Sequence, residues 1–292
     1  MMKEAYLYEK LDNQTVKCLV CNHYCKIANH HRGICGVREN HEGILYALNY
    51  GLTIAAAIDP IEKKPLYHFL PKTKTYSLAT VGCNLKCPWC QNWEISQYPK
   101  NNERVIGENI KAQEHVISAL KSGCESISYT YSEPTIFLEY AYDIMKSAHE
   151  QGLKNIWVSN GYMSKKTLDL ITPLIDAMNI DLKFFSNKKS IEYCGCKTKP
   201  IIDNLVAIHK SGIHLEITTL IVPGVNDDLN EIKSIADFIC SQLSPDVPWH
   251  LTRFFPHWQM LDSKPTAFSI LEKCRKIGEK AGLVHVHLGN VR

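Results

Sequence analysis

From about residue 73 onward the chain alternates short β-branched or apolar runs with longer stretches whose apolar residues recur at three and four, and this alternation narrows the fold more than any other feature. A short apolar run bounded by turn residues reads as a buried strand, and a 3.6-residue period reads as a helix with one apolar face. Strands are expected over 75–81, 126–130, 155–159, 177–183, 214–222, 249–255 and 284–288. Helices are expected over 110–121, 135–150, 165–175, 200–211, 230–242 and 266–281, with Pro134 placed for the start of the second. Strand and helix in turn give right-handed crossovers, hence an α/β fold whose parallel sheet curls into a partial or full (β/α) barrel. Such folds carry their chemistry at the carboxyl ends of the strands.

The first 72 residues have a different texture, with four cysteines, several histidines and little sustained periodicity. They read as a small Cys-rich metal-binding module, 1–72, ahead of a barrel domain, 73–292. A chain of 292 residues has room for both, because such barrels take ~250 residues. With 45% hydrophobic and 22% charged residues, the composition excludes a disordered or fibrous chain. The formal charge of +3 is too mild for a dedicated nucleic-acid binder, although a nucleic-acid substrate stays open. Lys3, Glu4, Glu9 and Lys10 leave no apolar stretch of signal-peptide length at the start, and no apolar run approaches the ~20 residues of a membrane span. The expected location is the cytoplasm. In that reducing compartment twelve cysteines point to metal binding before disulfides.

Spacing sorts the cysteines. Cys83, Cys87 and Cys90 form C-x3-C-x2-C on the loop after the first barrel strand. A cubane cluster has four irons, so three thiolates with no fourth cysteine close in sequence leave one iron open to a ligand. Structural zinc takes four closed ligands, usually from paired C-x2-C units, and a ferredoxin run brings a fourth cysteine, so both alternatives fit this loop less well. Cys18, Cys21, Cys25 and Cys35, in contrast, form a closed four-thiolate set suited to tetrahedral zinc or a second iron–sulfur cluster, with zinc preferred because the set is closed. His23, His30 or His31 could replace one of these ligands. Cys124, Cys240 and Cys274 read as packed thiols. Cys194 and Cys196, in a Cys-Gly-Cys loop after the fourth strand, read as redox-active or close to a substrate.

Polar residues gather where the strands are expected to end. Ser132 and Glu133 follow the second strand, Ser159 and Asn160 the third, and Asp181 and Lys183 the fourth. Each has a plainer reading: Glu133 as an acid favoured at a helix start, Asn160-Gly161 as a turn pair, Lys183 as a solvated cation. Asn226, Asp227 and Asp228 read mainly as a turn and helix cap. His250, Arg253, Phe255, His257 and Gly289-Asn290 are candidates for lining a substrate opening, with structural histidines as the alternative.

The C-x3-C-x2-C loop after a first strand resembles the radical S-adenosylmethionine (radical SAM) superfamily. The resemblance implies that Cys83, Cys87 and Cys90 hold a 4Fe-4S cluster whose open iron chelates the amino and carboxylate groups of S-adenosylmethionine. An electron, from a reducing partner such as flavodoxin or ferredoxin, would then release a 5′-deoxyadenosyl radical. Trp89 matches the position where the loop backs the adenine. Thr130-Tyr131-Ser132-Glu133 is similar to the superfamily's glycine-glycine-glutamate element, which meets the methionine ammonium through backbone carbonyls and the acid. Ser159, Asn160, Asp181 and Lys183 resemble the cofactor- or substrate-contacting strand ends of the glycyl-radical-activase branch, and Val222, before Pro223-Gly224, would pack near the adenine. Residues 33–38, 58–69 and 90–93 resemble the radical enzyme of the AmmeMemoRadiSam system, a family related to pyruvate formate-lyase activating enzymes and associated with Memo-like and AMMECR1-like proteins. That likeness implies modification of an unidentified substrate in such a pathway. The alternatives are a glycyl-radical-enzyme activase and a non-catalytic iron–sulfur electron-transfer module.

Overall fold

A computed structural model of the chain describes residues 2–102 and 104–291. Its main sheet has eight strands: β1 (Ala55–Pro60), β2 (Lys74–Ala79), β3 (Ser126–Tyr129), β4 (Lys154–Ser159), β5 (Ala177–Asp181), β6 (His214–Ile221), β7 (Trp249–Arg253) and β8 (Val286–Gly289). They lie side by side in chain order, with β1 antiparallel to β2 and every later neighbour parallel. Helices α1 (Ala112–Lys121), α2 (Leu138–Glu150), α3 (Lys165–Ile171), α4 (Thr198–Lys210), α5 (Leu229–Phe238) and α6 (Phe268–Ala281) separate the parallel strands. β1 and β8 are the two ends of the sheet, so the fold is an open, partial barrel. Strands of this kind are covered on both faces, and accordingly all four residues of β3 are buried. No helix among the described residues is long and apolar enough to cross a membrane.

All seven expected strands are present, and the eighth is the one that sequence reading passes over. β1 reads Ala-Ala-Ala-Ile-Asp-Pro, which lacks both the β-branched content and the alternation of a self-evident strand. Its extended form comes from its ladder with β2, from Ala55 opposite Ala79 to Pro60 opposite Lys74. It lies before residue 73, so the stretch 1–72 contributes a strand to the sheet.

Leu52–Thr53 pairs antiparallel with Glu108–Asn109, and the earlier part of the amino-terminal stretch forms two three-stranded antiparallel sheets. In one, Ile44–Ala47 lies between Lys3–Glu4 and Arg38–His41; in the other, Val16–Cys18 lies between Tyr8–Lys10 and Lys26–Ile27. They dock on the barrel through a buried fork: Arg38 donates from Nη1 and Nη2 to the two carboxylate oxygens of Glu139 on α2, at 3.0 and 2.7 Å. Arg38 Nη2 also reaches Ile136 O at 3.3 Å, and the Tyr6 amide donates to Glu139 Oε1 at 3.0 Å. Arg38 is 2% exposed and Glu139 0%.

At the amino ends of the strands, fully buried Glu216 on β6 accepts from the backbone N–H groups of Tyr67 (3.1 Å) and His68 (2.8 Å) and pairs with His214 (3.0 Å) and His250 (2.5 Å). Burial acts against its charge, yet these partners hold its carboxyl well below the usual range. His250 therefore belongs to the floor of the barrel and not to an opening at the carboxyl ends. The reason is position along the strand, since it is the second residue of β7.

Two outcomes follow from these buried groups. Glu139→Ala, which leaves the Arg38 guanidinium buried without its carboxylate, should cost about 3–5 kcal/mol in urea unfolding, and Arg38→Met with Glu139→Leu should recover most of it. His115 on α1 contacts the hydroxyls of Thr53, Tyr140 and Tyr76 at 3.0, 2.7 and 3.1 Å, and burial lowers its pKa to about 4. The folded protein then refuses a proton that the unfolded chain takes up near pH ~6.5, so stability should fall as pH drops from ~6.5 toward 4. Replacing His115 by Gln should flatten that slope in unfolding curves measured across the same range.

Candidate functional site

The loop 82–93 leaves the carboxyl end of β2 and is closed by the Gly82 amide donating to Ile95 O at 2.9 Å. Gly82 has φ +110°, and a Cβ there would lie 3.2 Å from Cys35 O and 3.0 Å from Val37 Cγ1, so the loop start presses on the amino-terminal sheets. The Leu85 amide donates to Cys83 Sγ at 3.3 Å, and Cys90 Sγ lies 3.3 Å from Ser96 Oγ. Gln97 Nε2 and Lys100 Nζ donate to Leu85 O at 3.2 and 2.7 Å, which braces the middle of the loop.

Cys83, Cys87 and Cys90 line one cleft of about 520 Å³ at the carboxyl ends of the strands, a volume in the range of small-molecule and cofactor sites. Burial pushes the thiols of Cys83 and Cys90 up. Cys87 is shifted the other way, first by a sulfur–sulfur contact of 3.3 Å with Cys194 and also by the charge of Lys183. Cys194 is thus beside the loop, although far from it in sequence.

Trp89, Ser132, Glu133, Ser159, Asn160, Asp181 and Lys183 line the same cleft. Trp89 is buried and packs near Phe184 and Tyr193, with ring centroids 6.0 and 6.1 Å away. Glu133 follows β3 and caps a 3-10 turn, Pro134–Phe137, by accepting from the Thr135 amide at 3.0 Å. Its Oε1 also takes the hydroxyls of Thr135 (2.5 Å) and Ser159 (2.7 Å), whereas among the described residues Oε2 takes only the Asn160 amide (2.9 Å). Burial raises the Glu133 carboxyl, against the pull of these donors. Asn160 Nδ2 donates to Asn84 Oδ1 at 2.7 Å, linking the end of β4 to the cysteine loop. Gly161, at φ +72°, makes that turn possible, because a Cβ would lie 2.7 Å from Ile180 Cγ2. Ser132 Oγ donates to Thr80 O at 2.7 Å. Asp181 and Lys183 are paired at 2.7 Å; burial opposes the Lys183 charge, but Asp181 and the neighbouring thiols hold its pKa above the ordinary range.

Val222 departs from expectation. It is fully buried and absent from the cleft wall, where β6 contributes Thr218 and Leu220. The strand ends at Ile221, and the following turn is drawn inward by Asn226, which accepts from the Val222 amide at 2.7 Å and donates to Leu220 O and Lys183 O at 2.8 Å each. Of the residues expected from the last two strands, Asn290 reaches the wall, joined by Thr252, which the sequence did not single out, whereas Arg253, Phe255, His257 and Gly289 are not part of it.

Sequence reading did not single out Lys63 and Lys64, which supply cations to the cleft wall. Asp59 pairs with them at 2.8 and 2.6 Å and also accepts from the Tyr131 hydroxyl. Lys64 is 2% exposed, and burial lowers its ammonium to about 8 despite the carboxylate. The density of polar groups and prolines in 58–69 was the available signal; the antiparallel β1 that carries them to the cleft was not legible.

Cys18, Cys21, Cys25 and Cys35 line a separate, enclosed cavity of about 10 Å³ together with His23 and Arg38, but not His30 or His31. Burial pushes the Cys18 thiol up to about 12 and raises that of Cys21 as well. Arg38 Nε is buried there with no hydrogen-bond partner. Among the described residues no three His, Cys, Asp or Glu side chains already surround a common point as ligands of a single ion, so the thiols of Cys18, Cys21, Cys25 and Cys35 would have to turn toward a shared centre to hold one; the three thiols of a cubane ligate different irons and need no such point. Cys124 and Cys274 are buried in the core, as expected of packed thiols, and Cys240 is partly buried.

Comparison with known proteins bears on this arrangement. An uncharacterised protein of Methanocaldococcus jannaschii is 41% identical over 290 residues, covering 99% of this chain and 86% of that protein. A second protein of the same organism, provisionally named as a glycyl-radical enzyme activating enzyme, is 27% identical over 209 residues, 70% of this chain and 76% of that one. The crystal structure of a radical SAM methyltransferase from Sphaerobacter thermophilus shares the fold with a TM-score of 0.58 at 13% identity, over 75% of this chain and 67% of that one. The model of the Radical SAM superfamily matches residues 77–239, from β2 through the helix after β6, which includes the cysteine loop and most of the cleft wall. The chain belongs to the radical SAM superfamily.

Proposed function

We propose that this chain is a cytoplasmic radical SAM enzyme that binds a 4Fe-4S cluster through Cys83, Cys87 and Cys90 and S-adenosylmethionine in the adjoining cleft. The observation that carries the reading is a loop with three thiols on the wall of a cofactor-sized cleft whose other wall groups are donors and acceptors from successive strand ends. Cluster and cofactor together would supply a 5′-deoxyadenosyl radical for hydrogen abstraction from unreactive carbon. The chain's own residues bind and orient. Glu133 Oε2, with a single protein donor, has capacity left for an ammonium, while Oε1 is fixed by Thr135 and Ser159. Ser132, held to Thr80, sets the backbone beside it; Asn160 holds the loop; Asp181 and Lys183 offer one charge of each sign; and Trp89 gives an aromatic face. Lys63 and Lys64 make the cleft wall near Tyr131 suited to an anionic group on the substrate.

The reaction is assigned to an AmmeMemoRadiSam pathway, with Memo-like and AMMECR1-like partners and flavodoxin or ferredoxin as reductant, on an unidentified substrate. The likeness of residues 33–38, 58–69 and 90–93 supports this. A glycyl-radical-enzyme activase is the second reading, favoured by the relative that is 27% identical. In the 1–72 module, Cys18, Cys21, Cys25 and Cys35 are assigned to structural zinc. Four thiols from one short segment form the closed set that tetrahedral zinc takes, and Arg38 Nε, without a hydrogen-bond partner among the described residues, offers a donor to the anionic thiolates.

Anaerobic reconstitution with iron and sulfide, then dithionite and S-adenosylmethionine, should yield 5′-deoxyadenosine by chromatography. Cys87→Ala should reduce the yield to background while leaving the circular dichroism spectrum in place; cleavage that survived in this variant would remove the loop from the mechanism. Cys21→Ser should lose one zinc per chain by elemental analysis and unfold at lower urea, with the cluster signal of the other loop retained. Unchanged metal content would remove the zinc assignment.

A further inference from the structure

We propose that Cys194 is a positioning residue for the cluster loop: its S–H donates to the sulfur of Cys87 and thereby raises the reduction potential of a cluster held on that sulfur. The inference rests on the reading of Cys83, Cys87 and Cys90 as cluster ligands.

The two sulfurs lie 3.3 Å apart, well beyond the ~2.05 Å of a disulfide and within hydrogen-bonding contact for thiols. The contact is built by the backbone on both sides. Cys194 closes a wide helical turn, Ser190–Cys194, and its carbonyl accepts from the amide of Lys86, the residue before Cys87, at 3.1 Å. Gly195 follows at φ +75°, and a Cβ there would lie 3.3 Å from Lys86 Cε, so the turn lies against the cysteine loop at this point. Cys196 has a different partner, Ser190 Oγ at 3.3 Å, which leaves Cys194 as the thiol in contact with Cys87.

Direction follows from chemistry. A cysteine that ligates iron has given up its proton, so any hydrogen between the two sulfurs belongs to Cys194. Nor is Cys194 placed to be a fourth ligand. It is 1% exposed and absent from the cleft wall, and two sulfurs 3.3 Å apart are too close to serve different irons of one cube. An electron added to the cluster increases the negative charge on its ligand sulfurs, so a donor aimed at one of them stabilises the reduced state more than the oxidised one, most strongly away from water. The contact thus favours reduction by a physiological donor, without touching the cofactor.

Redox titration of the reconstituted holoenzyme, read by the electron paramagnetic resonance of the reduced cluster, tests this. Cys194→Ala should lower the reduced-to-oxidised ratio at fixed solution potential about tenfold, equivalent to ~59 mV for one electron. Cys194→Ser, which keeps a hydroxyl donor, should restore more than half of the shift, with iron and sulfide content equal in all three proteins. An unchanged midpoint in Cys194→Ala, even with lower thermal stability, would overturn the proposal, and so would loss of the cluster in that variant, which would make Cys194 a ligand. If the parent protein itself binds no cluster, or Cys83→Ala binds it as well as the parent, the ligand reading beneath the proposal is the part that fails.

Discussion

The buried fork between Arg38 and Glu139 is the interaction on which the relation of the two cysteine sets depends. Arg38 comes from an amino-terminal strand and lines the cavity of Cys18, Cys21, Cys25 and Cys35; Glu139 starts the helix that follows Glu133. Arg38 also reaches the carbonyl of Ile136, in the turn that Glu133 caps. One guanidinium therefore ties the small module to the element that carries a wall residue of the cleft. A buried ion pair of this kind adds little net stability relative to an apolar contact of similar volume, but it tolerates neither partner alone. Its weight here is geometric. The same contact surface brings Cys35 O against Gly82, and Asn84, inside the loop, lines the small cavity as well. The two thiol sets are neighbours across this contact surface.

The parallel sheet was legible because its strands are short, largely buried and centred on β-branched or apolar residues between turn signals, as in Ile-Trp-Val of β4. The cleft was legible in outline for a related reason: a parallel sheet brings all its strand ends to one side, so polar residues as far apart in sequence as Thr130 and Asn290 meet in space. What the sequence hid were effects of register and pairing. β1 has no strand signature of its own, and with it went the position of Lys63 and Lys64. His250 was misplaced because two residues along a strand separate the barrel floor from its mouth, and Val222 because a turn clamped by Asn226 withdraws it. Cys194 was suspected from its loop, but its contact with Cys87 spans 107 positions and no local pattern foretells it.

The charges of the cleft explain how so polar a wall is stable before anything binds. Lys183 is held by Asp181, and Lys63 and Lys64 by Asp59, while Glu133 is held by amide and hydroxyl donors without a cation. Every ionised group on the wall thus has a partner from the chain, which is the condition for keeping charge in a half-buried site. The arrangement is asymmetric. Asp59 satisfies two ammonium groups and a tyrosine hydroxyl, so the wall near Tyr131 has more cationic than anionic capacity. The wall near Glu133 is the reverse, a carboxylate with a lone pair to spare. A zwitterionic ligand in the cleft meets both signs of charge, the acid from the segment after β3 and the lysines from the segment after β1.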